Sequence, residues 1–565
     1  MKKLGKLFSI VLVFVMALSL LTGCSNNNES SQQNSKESPQ QSLAASVSPV
    51  KAEGSSWKQD MSPITISMFV MAPWYNKRWD TKNNLMDKMI TDETGVSVDI
   101  SSGTIDKLNA MIASNDLPDI LVMPAWNTRS QRSLLESNDK VWDLNELIQK
   151  YAPNFNPPKS MVNWYKNPNG KWYAMVNYFA APENMKEGNY NSSHIINYAR
   201  KDLMNQLGLK PTDFETQDGY VNALKKVKDA NLTYNGLKVA TWYSGPSDIY
   251  GAALDFAEQF GRAFEDKQGN LVDERMNPKL LEAILFLNRL YREGVLPNDQ
   301  FTLKSDQISN KIKTGSLFSF TRTGNNGSNM QALFAADNKA EFIPLKPIKG
   351  SDGAPTHLMS TSSTGWTVSL INKSAKHPER IIRFFDYLYS NEEVQLNIVY
   401  GPKDKGWTMV NGHVKKTDEF LAEFAKDANA ANLKYGTNPK FDWMLDYLVI
   451  QRHEPLPTNS MDQSHLDYQL NVMKSITFNG TAFSDLNPDA GTDEAAIFQK
   501  ADLYYRDQVV KMILAKSADE AKKLYDDTVN KMNEMGWSKV YKAMNKKFQE
   551  NKAKLGLKYA WPGNK

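Results

Sequence analysis

Three stretches of this chain set tryptophan or tyrosine beside polar side chains, amide and guanidinium in the first two and hydroxyl and carboxylate in the third. They are Ala72-Pro73-Trp74-Tyr75-Asn76-Lys77-Arg78-Trp79, Pro124-Ala125-Trp126-Asn127-Thr128-Arg129 and Trp242-Tyr243-Ser244-Gly245-Pro246-Ser247-Asp248. A fourth, Thr321-Arg322-Thr323-Gly324-Asn325-Asn326, carries the polar groups alone. A flat ring is a platform for an apolar face, and Asn or Arg supplies planar hydrogen-bonding groups. That combination suits a solute with one apolar ring face and a rim of hydroxyls, as a sugar has. The candidate contacts are Trp74, Asn76, Trp126, Asn127, Arg129, Trp242, Tyr243 and Arg322. Trp366 lies inside an expected strand and is open between ligand contact and interlobe packing. Trp407, after Gly401-Pro402-Lys403-Asp404-Lys405-Gly406, is a further candidate. Most tryptophans of a large protein are packing residues, so Trp142, Trp164, Trp172, Trp443 and Trp537 are assigned to structure. Arg200 is expected in a salt bridge rather than on an acidic sugar.

Catalytic patterns are missing. There is no Gly-x-Ser-x-Gly elbow, no P-loop and no dinucleotide-binding glycine pattern. His453-Glu454-Pro455 lacks the second histidine of a zinc-protease helix, and six histidines are scattered. No catalysis, cofactor or metal is expected, although 63 acidic residues leave a glycosidase-type carboxylate pair open.

The loops need strands ahead of them. Ile64–Val70 alternates and is rich in β-formers. Leu85–Thr94 has helical spacing and stops at Gly95. Residues 96–100 alternate again, 105–113 form a second helix, and 117–123 a strand entered through a turn. This rhythm predicts a parallel α/β sheet. Ligands of such sheets sit beyond the carboxyl ends of strands, where the Trp74 and Trp126 loops emerge. The later chain is mostly helical, at 221–229, 278–293, 378–390, 501–515, 518–535 and 540–555. Short strands are expected at 317–320, 341–345 and 366–370.

The N-terminus carries Lys2, Lys3 and Lys6, an almost wholly apolar run over 7–21, and then Leu21-Thr22-Gly23-Cys24, which holds the single cysteine of 565 residues. A basic start, an apolar stretch and small residues before a cut site describe an export signal. The run falls short of the about 20 residues that span a bilayer. With cysteine directly after the cut, the segment resembles the lipobox of bacterial lipoproteins. That resemblance implies removal of residues 1–23, a lipid on Cys24 and a place on the outer face of the cell membrane. A plain secretory signal is the alternative. One cysteine leaves no intramolecular disulfide. Residues 24–59, rich in Ser, Asn and Gln, are expected to be a disordered tether with a span of roughly 30 Å. The formal charge of +4 includes three lysines lost with the signal, which gives no case for nucleic acid. The remaining chain exceeds single-core size, so at least two lobes are expected.

Six segments, in order, carry a family resemblance. They are Ile105-Asp106-Lys107-Leu108 through Leu117-Pro118-Asp119-Ile120; Gly170-Lys171-Trp172-Tyr173-Ala174-Met175, with Val176 where proline is usual; Ile196 to Met204 with Leu207-Gly208-Leu209-Lys210-Pro211; Leu287-Asn288-Arg289-Leu290-Tyr291-Arg292-Glu293-Gly294; Lys313-Thr314-Gly315-Ser316-Leu317-Phe318; and Ser374-Ala375-Lys376-His377-Pro378-Glu379-Arg380 with Phe384-Phe385-Asp386-Tyr387-Leu388. Together they resemble extracellular solute-binding proteins of family 1, the receptors of ABC sugar importers, and within them the long Gram-positive lipoproteins related to alginate-oligosaccharide-binding proteins. The resemblance implies an α/β, two-lobe, periplasmic-binding-protein-like fold with interlobe crossing strands and a helical C-terminal extension. By motif order the N-lobe is 60–180 plus 340–373, and the C-lobe 181–339 plus 374–565. It also implies a monomer that binds an oligosaccharide between the lobes, closes by a hinge and delivers it to ABC permease subunits. Trp126 lies in the loop that carries a ligand aromatic in maltodextrin-binding relatives. A receptor for peptide or another small solute, a sensory binding protein and, more remotely, a surface-tethered carbohydrate-active enzyme are the alternatives. The alginate-binding relatives hold calcium in a loop that corresponds to 230–237 here. That stretch has no acid past Asp229, so no metal is expected there.

Overall fold

The computed structural model describes residues 55–558, apart from 76, 245–247, 322–326, 361–363, 438–439 and 490. Cys24, Asn76 and Arg322, with the export signal and most of the tether, lie outside the described residues. The strands of the two larger sheets are, in chain order, β1 (Ile64–Val70), β2 (Val96–Ser102), β3 (Ile120–Pro124), β4 (Met175–Val176), β5 (Asn197–Arg200), β6 (Ala240–Tyr243), β7 (Leu317–Thr321), β8 (Phe342–Leu345) and β9 (Thr367–Ile371).

The first sheet has the order β2-β1-β3-β9-β4. Its first three strands are parallel, as the strand–helix rhythm predicts, with Met68 opposite Ile100 and Ile120. Helix Leu85–Thr94 connects β1 to β2; Asn84 accepts from the Asp87 N–H to cap it, and Gly95 ends it in the left-handed region. β9 returns antiparallel to β3, placing Thr367 opposite Pro124, and β4 lies antiparallel beside it. The second sheet has the order β8-β5-β7-β6, with β6 and β7 parallel and the other pairs antiparallel. Each sheet has its own apolar core.

Segment assignments differ from the motif-order expectation in three places. β8, expected in the N-lobe, pairs with β5 in the second sheet, and only β9 of that segment joins the first. Helix Pro378–Ser390, expected in the C-lobe, buries Ile381, Phe384, Phe385 and Leu388 in the first core. Its i, i+3, i+4 stripe must be covered, and the parallel sheet offers a bare face. The end of the expected tether is ordered: Ser56–Gln59 is a short 3-10 helix, the Ser56 hydroxyl bonds Asp386, and Trp57 packs edge-on against Tyr387 at 5.4 Å. The C-terminal helices Asp493–Leu514 and Ala518–Glu534 pack into the second core. The last, Trp537–Leu555, serves both, with Trp537 and Val540 in the second and Phe548 and Leu555 in the first.

The loop matched to the calcium loop is a tight hairpin pairing Thr233–Tyr234 with Leu237–Lys238. Asn235 and Gly236, with φ of +49° and +76°, make the two-residue turn favoured by Asn-Gly. Tyr234 bonds Asp337 and lies 4.4 Å from the buried Arg200 guanidinium. Among the described residues, no three His, Cys, Asp or Glu side chains are grouped to hold a metal ion.

Candidate functional site

The chain leaving β1 and β3 and the residues entering β9 enclose a cavity of about 290 Å³, near the lower end of the range for small-molecule sites. Backbone bonds tie these loops together at their origin. The Met71 N–H donates to Val122 O at 2.8 Å and the Ala125 N–H to Trp366 O at 2.9 Å.

Trp74 lies parallel to Trp366, with centroids 6.0 Å apart and 9° between the planes. A guest between them would need roughly 7–8 Å, two contact distances. The pair is therefore one platform rather than a slot. Trp74 remains 64% exposed, and Trp126, also in the lining, 62%. Large apolar side chains left bare at a cavity mark a recognition surface. Behind the platform the row continues: Tyr178 is 6.5 Å from Trp366 and 6.3 Å from Tyr447.

The platform is held by crossing backbone. Asn177, fully buried, accepts from the Trp366 and Thr367 N–H groups and donates to Asp442 O at 2.8 Å. Tyr178 takes φ +52°, uncommon for a bulky side chain. Gly365 has φ +95°, and a Cβ there would stand 2.2 Å from Val176, so both backbone and space require glycine. The floor is Tyr75 and Trp443, both buried, whose OH and Nε1–H donate to Lys440 O. Asp442 is the charged residue of the described lining. Burial raises its carboxyl to about 6, with Lys77 pulling the other way. The buried Thr367 hydroxyl has no hydrogen-bond partner among the described residues.

Of the expected contacts, Trp74, Trp126, Asn127 and Trp366 line this cavity. Arg129 does not; it begins helix Arg129–Ser137 and pairs with Asp489 at 3.4 Å, both side chains exposed. Three expectations are corrected by burial. Trp242, a strand residue rather than a loop residue, is fully buried in the second core and bonds Thr321 Oγ1 at 3.2 Å. Tyr243 is buried beside it and bonds Asp299 at 2.7 Å. Trp407 is buried with Leu396, Val414 and Val449, its Nε1–H on Asn397 and Gly401 O. Arg200 makes the expected salt bridge, bidentate to Asp202 at 2.9 and 2.6 Å. Sequence reasoning missed Tyr75, Asp442 and Trp443 as lining and Tyr178 as support. Phe441-Asp442-Trp443 was the available signal, an acid between aromatics in an aperiodic stretch.

The sequence model of the bacterial extracellular solute-binding proteins matches residues 79–395. The chain belongs to this family. A curated relative, lipoprotein LipO of Bacillus subtilis (strain 168), is 21% identical over 515 residues, covering 86% of this chain and 92% of LipO. Among solved structures, the fold is similar to the S. pneumoniae ABC-transporter substrate-binding protein FusA in complex with kestose. That match has a TM-score of 0.62 and 17% identity, over 87% of this chain and 100% of FusA. A Bifidobacterium longum infantis protein described as an HMO-binding ABC-transporter-associated solute-binding protein gives a TM-score of 0.58 at 14% identity, over 87% and 99% of the chains. Alginate-binding protein AlgQ2, solved without calcium, gives 0.56 at 18%, over 86% and 98%. The chain is thus a two-lobe α/β solute-binding protein with a helical C-terminal region, of the class that serves ABC transporters. Relatives of this kind bind substrates rather than transform them.

Proposed function

We propose that this protein is the lipid-anchored receptor of an ABC importer for an oligosaccharide. Its body would be held to the outer face of the membrane through Cys24, and the loaded receptor would pass its solute to the permease. The platform of Trp74 on Trp366, with Trp126 bare beside the same cavity, carries the reading. Flat apolar faces next to Asn127, Asp442 and an unpartnered Thr367 hydroxyl match a ring with one apolar face and hydroxyls around it. The kestose complex of FusA and the HMO-binding description of the Bifidobacterium protein support the solute class.

Isothermal titration of the Trp74→Ala/Trp126→Ala protein against an oligosaccharide that binds the wild type tests this. Loss of a central aromatic contact is worth about 2 kcal/mol, roughly thirtyfold, and two should abolish measurable binding while the circular dichroism melt is unchanged. A double variant that binds like the wild type would show that the site is elsewhere. Anchoring is checked separately: Cys24→Ser should move the protein from the membrane fraction to the medium.

A further inference from the structure

A second cavity, of about 400 Å³, lies where helices Asp493–Leu514 and Trp537–Leu555 meet the chain around Arg262 to Arg275 and the loop after Thr481–Phe483. Its walls mix charged and apolar side chains. Arg262 and Arg275 keep side-chain exposures of only 6% and 4%, and each donates to Glu274 at 3.2 Å. Asp502 accepts from Arg275 and, at 2.8 Å, from Arg506. Arg262 lies 4.2 Å from the centre of the Phe264 ring and Arg275 4.9 Å from that of Trp537. Each charge is held by an opposite one, so the wall is preorganised. The Nε–H groups of Arg262 and Arg275 nevertheless lack an acceptor among the described residues. Asp485 and Asn487, both exposed, complete the lining, and Asp485 takes a left-handed backbone at φ +55°.

This chemistry selects its guest. Four lining carboxylates against three guanidiniums give an anion no net attraction, and a purely apolar guest would cover those groups without hydrogen-bonding them. Carboxylates accept, guanidiniums donate, and vicinal hydroxyls do both in the same plane. Phe264 and Phe483 supply apolar faces among them. The fit is a neutral polyhydroxylated ring.

One ion pair links the chain segments that line the two cavities. Asn127 lines the aromatic pocket; Arg129, two residues on, pairs with Asp489; Asp489 stands two residues beyond Asn487 in the charged cavity. Each two-residue step reaches at most about 7 Å. We propose that the charged cavity is a second saccharide subsite, which receives the distal units of an oligosaccharide whose first unit stacks on the Trp74 platform. The inference rests on the receptor reading above and adds a length requirement to it.

Calorimetric titration with cellobiose to cellohexaose, maltose to maltohexaose, kestose and nystose tests it, on the wild type and on Asp485→Asn/Asn487→Ala. Asn tolerates the left-handed backbone at 485, and both positions are exposed, so folding is preserved. In the series that binds, the wild type should hold the longest glycan more tightly than the shortest. The double variant should weaken the longest about tenfold and leave the shortest unchanged, whereas Trp74→Ala weakens both. Equal affinity of the wild type for short and long glycans, or a double variant that affects all lengths alike or none, overturns the second subsite and leaves the receptor reading standing. A wild type that binds no saccharide of the panel overturns both.

Discussion

Trp74 has one ring face against Trp366 and is 64% exposed. Trp74→Ala removes the more exposed ring of the platform, whereas Trp366→Ala removes its support and a smaller share of the lining. The first should cost more affinity than the second, and the double variant should cost less than their sum, because the two act as a unit; a thermodynamic cycle by titration calorimetry measures this coupling. Asp442 carries a pH signature. Burial raises its carboxyl from the ordinary 3.8 to about 6, so between those values the folded state holds a proton that the unfolded state has lost. Stability therefore falls as pH rises through that window, and at pH 7 the buried carboxylate is a liability. Asp442→Asn should melt higher than the wild type at pH 7.5, by an amount on the order of 1–3 kcal/mol, and the difference should vanish by pH 4. Thermal melts at both pH values read it directly. The residue scale also explains which aromatics were legible. Trp74 and Trp126 follow strands and lie in the loops that the strand pattern locates; Trp242 and Trp407 carry the same side chain, but β6 and a local cluster bury them.

Two glycines separate two kinds of turn at the scale of elements. Gly365 and Gly236 both have positive φ, +95° and +76°. A Cβ on Gly365 would stand 2.2 Å from Val176 and 2.5 Å from Asn177 O, where β9 crosses β4; a Cβ on Gly236 meets nothing within 4 Å. Gly236→Ala should therefore cost only the left-handed backbone penalty, about 1–2 kcal/mol. Gly365→Ala adds overpacking of a further 1–3 kcal/mol and displaces Trp366, so it should lower both the melting temperature and glycan affinity. Denaturant melts with a parallel titration distinguish the two. Turn chemistry of this kind is readable in Asn235-Gly236 from adjacent residues alone. The Gly365 requirement is not, because the clash comes from a segment nearly two hundred positions earlier.

At the scale of the whole molecule, helix Trp537–Leu555 anchors in both cores. Ending the chain after Gly536 would strip Trp537 and Val540 from one and Phe548 and Leu555 from the other. Large core truncations cost about 3–5 kcal/mol each, comparable together to the net stability of a protein, so the shortened chain should lose its cooperative thermal transition in calorimetry. Periodicity, capping residues and turn dipeptides are local quantities. They determine by themselves the parallel β1–β2–β3 unit, the helical tail, the α/β class and the loops from which Trp74 and Trp126 emerge. The allocation of Phe342–Leu345 and Pro378–Ser390 to their cores, the burial of Trp242, and the meeting of Trp74, Trp126, Trp366 and Asp442 around one cavity were decided only by tertiary structure. A side chain's exposure depends on what distant segments cover it, and residues 74 and 442 share no local signal that would announce their meeting around one cavity.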